Sequence, residues 1–419
     1  MQRSNFLATV PIFQRLTRAT PPQWKNKARE TDVFLPTLTK IFKFSKWFGI
    51  PTYGNKIYFI WATIILLLLF TIVVASIVKV IRSLAGLAQH DSDGRGVTAR
   101  LSGAIFYTNG LLSQILSWRL IASWKRLSHH WLRVEITSLH LPQDQKIRRR
   151  VVIVTCFVAV CAMSEHMLSM MSATGFTIHP EEYFDRYMLS SHGFLFHTEN
   201  YSLWKVIPTF IMSKLATVFW NFQDLIIILI SMGLTSRYNR LNFYVKHIVA
   251  KSRRNRSKTD SDMFLHIQIW RKLREAYVKQ SSLVRTFDRH LGPLVLLSNI
   301  NNLYFICLQL FLGLNRGERG VVNRMYYFLS LSWLLFRACS VVLAAADVNL
   351  HSKRALMYLS QCPDTGYNLE VKRLKHQLTH DKVVLSGMGL FSLDRQNLLG
   401  VAGNIVKYEM VLFQYDKDN

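Results

Sequence analysis

The chain has 419 residues, half of them hydrophobic, and a formal net charge of +27. The Lys and Arg surplus lies between long apolar runs and not on one polar domain, which excludes a nucleic-acid-binding module and leaves a membrane protein. Cys156, Cys161, Cys307, Cys339 and Cys362 match no zinc spacing, and the first four fall in apolar segments, so no metal or other cofactor is implied.

The first 29 residues are acid-free and carry Arg3, Arg15, Arg18, Lys25, Lys27 and Arg29. They read as part of a basic cytosolic tail, 1–56, rather than the mitochondrial presequence they resemble in composition. Seven apolar segments follow, at roughly 57–78, 101–121, 151–173, 206–232, 291–314, 326–346 and 396–415. Backbone in lipid must satisfy its own hydrogen bonds, so each is expected to be a helix. The fold class is all-α, a polytopic membrane protein of seven transmembrane helices. Loops on the N-terminal side hold 38 Lys and Arg against 8 on the other. That asymmetry predicts a cytosolic N-terminus and an extracellular C-terminus, the reverse of a G-protein-coupled receptor. The sequon Asn200-Tyr-Ser202 then lies outside as a glycosylation site, and Asn255-Arg-Ser257 lies inside.

The chain divides as a tail, a bundle of spans one to four (57–234), and cytosolic helical extensions of spans four and five (235–290). Spans five and six (291–346), an inner anchor region with the first half of helix seven (347–395), and helix seven itself (396–419) complete it. The extensions are amphipathic at helical spacing and are expected to pack with 347–385, the alternative being helices on an anionic membrane surface. The glycines of Ser386-Gly-Met-Gly389 mark an expected break in helix seven.

Polar residues inside the spans carry the functional signal. Tyr107, Asn109 and Gln114 in span two, Glu165 and His166 in span three, Asn301, Asn302, Tyr304 and Gln309 in span five, and Trp333 in span six fall at similar outer depths. Carboxylates and amides fork-bond paired hydroxyls, and aromatic faces cover a ring, so this mix suits a sugar; the alternative is interhelical hydrogen bonding. Arg119 and Asp224 lie at similar inner depths and are expected to form a structural ion pair, whereas mid-span Arg337 has no evident partner. Near the C-terminus Lys407, Val411 and Gln414 share one helical face, with Phe413 and Tyr415 beside them. A polar face there suits a conduit with its gate at Lys407, Val411, Phe413, Gln414 and Tyr415; interfacial snorkelling is the other reading.

Several segments together resemble the insect gustatory receptors, in particular their sweet-taste branch. They are the terminal KYEMVLFQY, the preceding GLFSLDRQNLLGVAGNIV, SNINNLYFICLQLF, AMSEHMLSMMSA, FYTNGLLSQILSWRLIASWKRLSHHW and AAADVNLHSKRAL. The resemblance runs from about residue 46 to the C-terminus, with Tyr408, Glu409 and Gln414 matching the terminal motif. Lys407 stands where the family has Thr, and Tyr415 where it has Phe. The resemblance implies a sugar-gated, non-selective cation channel, not an enzyme, assembled as a homo- or heterotetramer around helix seven. It implies a multi-pass protein of the plasma membrane of chemosensory neurons, with sugar, cations, membrane lipid and paralogous subunits as partners and no nucleic acid. A conducting role only in mixed tetramers, a metabotropic seven-helix receptor and a transporter are the alternatives.

Overall fold

The computed structural model describes residues 32–407 apart from 52–54, 86–96, 137–140, 142, 175–179, 193–194, 196–201, 255–259, 315–320, 364–366, 397–399, 401–402 and 404–406. Among the described residues ten α-helices follow one another: α1 Phe34–Phe44, α2 Lys56–Leu84, α3 Val97–Glu135, α4 Ile147–Thr174, α5 Pro180–His192, α6 Leu203–Arg254, α7 Asp260–Leu314, α8 Val321–Lys353, α9 Ala355–Leu359 and α10 Leu369–His380. The described residues contain no β-strand beyond one isolated bridge, Ser386 to Ser392. The protein is an all-helical bundle.

Helix α2 shows why the bundle belongs in lipid. Ile57, Phe59, Ile60, Leu67 and Phe70 point outward and are at least half exposed, while Ala62, Ile65 and Leu69 face the core. A helix apolar on every side satisfies its backbone internally and needs hydrocarbon around it. Five described helical stretches, Lys56–Arg82, Ile147–Thr174, Leu203–Arg253, Phe264–Phe311 and Asn323–Leu359, are long and apolar enough to cross a membrane. This is a multi-pass membrane protein. Span two, expected to be another, forms α3, but its polar residues keep it out of that set; it packs between α2, α6 and α7. Of the seventh span, Gly400, Gly403 and Lys407 have helical backbone and Lys407 is exposed. Val411, Phe413, Gln414 and Tyr415, like Asn200 and Asn255, lie outside the described residues.

Helices α6 and α7 run unbroken for 52 and 55 residues. Their halves away from the first cavity described below enclose a core of large rings, with Trp131, Tyr238, Trp270, Tyr277 and Phe287 fully buried. Glu135 of α3 accepts from Arg237 at 2.5 Å and from Arg240 at 2.7 Å on α6. On α7, Arg274 pairs with Glu370 of α10 at 2.8 Å, and Arg285 pairs with Asp381. The Arg274 hydrogen bond, aided by Arg373, holds the Glu370 carboxyl below the usual range.

Two elements are absent from the sequence reading. The stretch treated as tail contains α1, whose Phe34, Leu35, Leu38 and Phe42 fill the core. Asp32 starts it by accepting from the backbone N–H groups of Phe34 and Leu35 at 2.9 and 3.2 Å. The connection between spans three and four contains α5, whose Tyr187 and Met188 pack under Phe184 and Phe210. The expected break at Ser386–Gly389 is wider than two glycines. Helix α10 ends at His380, and 381–394 leave helical geometry. A tight turn then forms with Met388 and Gly389 at φ 56° and 80°. Asp288 of α7 accepts from the Ser386 N–H at 2.6 Å and from its hydroxyl. Gly292 lets the turn lie against α7, since a Cβ there would sit 3.1 Å from the Met388 nitrogen.

Candidate functional site

A cavity of about 280 Å³ lies among α3, α4, α5, α6, α7 and α8. Helical spacing builds it. On α8, Tyr326, Ser330, Trp333 and Arg337 recur at four, three and four residues and so share one face. On α6, Ser213, Thr217 and Trp220 do the same, and α7 adds Phe305 and Gln309 one turn apart.

The floor is a buried charge network. Arg337 Nε lies 2.9 Å from Asp224 Oδ2, off the hydrogen-bond axis, and both side chains are almost fully buried. Arg337 donates through Nη1 to Asn221 Oδ1 at 2.9 Å and through Nη2 to Asn302 Oδ1 at 3.2 Å. Asn302 and Ser298 in turn donate to Asp224, at 3.3 and 2.5 Å. The guanidinium also stacks 4.3 Å from the Trp220 ring. This corrects the expected Arg119–Asp224 pair. Arg119 is exposed, whereas Arg337, which had no evident partner, neutralises Asp224. Depth along a helix matched Arg119 to Asp224; rotation about the helix axis separated them.

One wall is a relay of polar side chains. Gln309 Nε2 donates to the Ser330 hydroxyl at 2.8 Å, which donates to Glu165 Oε1 at 3.0 Å. Among the described residues the second Glu165 oxygen takes no hydrogen bond. Gln309 Oε1, Trp333 Nε1 and His166 Nε2 are buried and likewise lack partners among those residues. Acceptors and donors thus converge on a space also bounded by the rings of Phe106, Trp220, Phe305 and Trp333.

The roof comes from α5, through Tyr187, Ser191 and His192. Lys214 of α6 secures it, donating to the Tyr187 hydroxyl at 3.0 Å with its ammonium 4.3 Å from the Phe210 ring centre. Burial raises the Tyr187 phenol to about 12. Burial, with the positive charge of Lys214, lowers the His192 imidazole to about 3. Both roof groups are therefore neutral at physiological pH.

Of the residues expected to bind ligand, the cavity brings together Tyr107, Glu165, His166, Gln309 and Trp333. Asn302 lies in the floor network. Gln114 is a strut, donating to the carbonyls of Gly49 at 2.9 Å and Ala62 at 3.1 Å. Asn109, Asn301 and Tyr304 line a different cavity between α2, α3 and α7. Sequence reasoning missed the roof of α5, together with Ser330, Trp220 and Asn221. The signal for α5 was present as Tyr183, Phe184, Tyr187 and Met188 at helical spacing.

Comparison with known proteins places this geometry in a family. Residues 48–419 match the family model described as trehalose receptor. The Drosophila melanogaster gustatory receptor for sugar taste 64a is 31% identical over 77% of this chain and 71% of its own length. The gustatory receptor 5a for trehalose, from the same fly, is 29% identical over 75% and 69%. The olfactory receptor OR5 of Machilis hrabei shares the fold. Its structure with eugenol superposes with a TM-score of 0.61 at 11% identity, covering 91% of this chain and 99% of that one. A second structure of the same receptor superposes with a TM-score of 0.63, covering 90% of this chain and 97% of that one. The chain belongs to the trehalose receptor family, in the sweet-taste branch of the insect gustatory receptors.

Proposed function

We propose that the protein is a subunit of a sugar-gated, non-selective cation channel, and that the first cavity is its sugar site. The observation that carries this reading is the set of unsatisfied buried polar atoms on Gln309, Trp333 and His166, beside the Glu165 carboxylate and facing aromatic walls. Orphaned polar groups in a dry site are costly, and a polyhydroxylated ring satisfies them while its apolar face meets an indole. The names of the relatives, sugar taste and trehalose, agree with this class of ligand.

The sugar draws α4, α7 and α8 together through the Glu165–Ser330–Gln309 relay. Helix α7 carries that motion to the turn at Ser386, and so to helix seven. Binding opens the pore only to the extent that sugar prefers the open state. Four subunits, identical or paralogous, surround a pore gated near Phe413, Gln414 and Tyr415. The basic N-terminal side faces the cytosol of a chemosensory neuron. Lys407, which departs from the Thr of the terminal family motif that the segment resembles, favours a second reading in which this chain conducts only beside a paralogue.

The test is whole-cell current in an insect-cell or oocyte host against mono- and disaccharides, with the chain alone and with a paralogue. Glu165→Gln is expected to shift the sugar dose response right by ten- to a hundredfold, the worth of one charge-assisted hydrogen bond of about 1.5–3 kcal/mol. Unitary conductance should not change. A conductance change without a dose shift would move Glu165 from the sugar site to the ion path.

A further inference from the structure

The second cavity, about 400 Å³ between α2, α3 and α7, joins chemistry that the sugar site does not use. Apart from Asn109, Asn301, Thr108 and Tyr304 its lining is aliphatic. Asn109 and Asn301 are 3% and 2% exposed. Both atoms of each amide lack a hydrogen-bond partner among the described residues. Asn109 lies 12 residues from the start of α3 and Asn301 13 from the end of α7, so both sit about 18–20 Å from those helix ends. At that depth no bulk water reaches them, and an unpaired amide in hydrocarbon costs several kcal/mol.

We propose that this cavity binds a second ligand: a small, uncharged, mainly apolar molecule with one hydroxyl or carbonyl group, dissolved in the bilayer and held by the two amides. The volume falls within the range of small-molecule sites, about 300–1,000 Å³. A sugar is excluded because its many hydroxyls would meet aliphatic walls. A phospholipid is excluded because its charged headgroup stays at the interface while the amides lie deep. The mouth is flanked by Ile81 and Ile300, 58% and 59% exposed, so entry is through hydrocarbon. The described turn before helix seven does not fill the space. The 386–392 turn sits on the Gly292 face of α7. Nine residues separate Gly292 from Asn301, about two and a half turns, which puts them on opposite faces.

The full-length protein in lipid nanodiscs, photolabelled with an octanol bearing a diazirine, tests this. Adducts are expected within 101–112 and 297–304 and should be competed by plain octanol. In the double variant N109L/N301L, which keeps side-chain size, labelling should fall about tenfold, the loss of one net hydrogen bond's worth of affinity. Ile300→Trp, which fills the mouth and leaves both amides intact, should abolish it. Sugar-evoked current should persist in both, because none of these residues lines the first cavity. Labelling spread evenly along the outward face of α2 and unchanged in the variants would overturn the proposal. So would disulfide trapping of a cysteine at 109 with one at 404, 407 or 411, in the same or a neighbouring copy, since that would make helix seven the occupant.

Discussion

At the residue scale, the Arg337–Asp224 contact sets the balance between stability and function in the first cavity. Two buried charges are tolerated because each also meets Asn302, with Asn221 and Ser298 taking the remaining geometry. Removing one partner strands the other, at about 3–5 kcal/mol. Arg337→Met is therefore expected to abolish surface expression, and the double variant Arg337→Met/Asp224→Leu to restore much of it; Arg119→Ala should change nothing. Surface biotinylation reads all three, and failure of the double variant to exceed the single would show that the network does more than neutralise charge. The same residues show what sequence can and cannot reveal. Depth is legible, because each residue adds about 1.5 Å along a helix. Rotation is legible within one helix but not between helices. Tyr107 and Asn109 are two residues apart, about 200° around α3, so they cannot share a cavity, and they do not. On α7, Phe305 and Gln309 face the first cavity while Asn301 and Tyr304 face the second. Which face meets which neighbour is fixed by tertiary packing, and that is where Gln114 and Asn302 changed from ligand contacts to internal struts.

At the element scale, α1 and α5 were the hard parts to read, for different reasons. Helix α1 is 11 residues long, too short to register as a span, yet its apolar face enters the core. Phe34 stacks on Trp131 with ring centres 5.0 Å apart. Its other side meets Gly233 of α6, where a Cβ would fall 2.4 Å from Cζ. With Trp131 behind it the ring has nowhere to go. Gly233→Ala is thus expected to cost about 1–3 kcal/mol by overpacking. A lowered melting temperature in detergent checks this, and Phe34→Leu added to it should recover part of the loss. Helix α5 carries the His192 prediction. Its folded pKa of about 3 lies below the ordinary value near 6.5, so the unfolded chain binds the extra proton first. Stability from this group is full above about pH 6.5 and declines steadily as pH falls toward 3. Melting curves between pH 7 and 5 should show that slope, and His192→Gln should flatten it.

At the scale of the whole molecule, the turn at Ser386–Ser392 is where the Gly292 face of α7 meets the approach to helix seven. Gly292→Ala brings a methyl to 3.1 Å from the Met388 backbone, where neither side can easily give. The expected outcome is uncoupling: sugar still protects the outer bundle from thermal unfolding at wild-type concentrations, while the maximal current falls several-fold. Loss of both would mean a folding defect and would remove the turn from the gating route. The membrane-spanning, all-helical character was the easiest feature to read at this scale, because uninterrupted hydrocarbon such as 57–78 has few other uses. The packing around α10 was harder, since Glu370 and Asp381 look like ordinary surface charges until Arg274 and Arg285 arrive from α7.

Helix α6 runs 52 residues without interruption, roughly 78 Å end to end. A bilayer's hydrocarbon layer is only about 30 Å thick, so most of this rod stands clear of it. Such a beam answers to its surroundings as well as to its passenger: thinning or thickening the lipid changes its lean, and a small lean at the waterline becomes a larger sweep at the tip. Sweetness thresholds in this receptor would then shift with acyl-chain length, without any change in the sugar or in a single side chain.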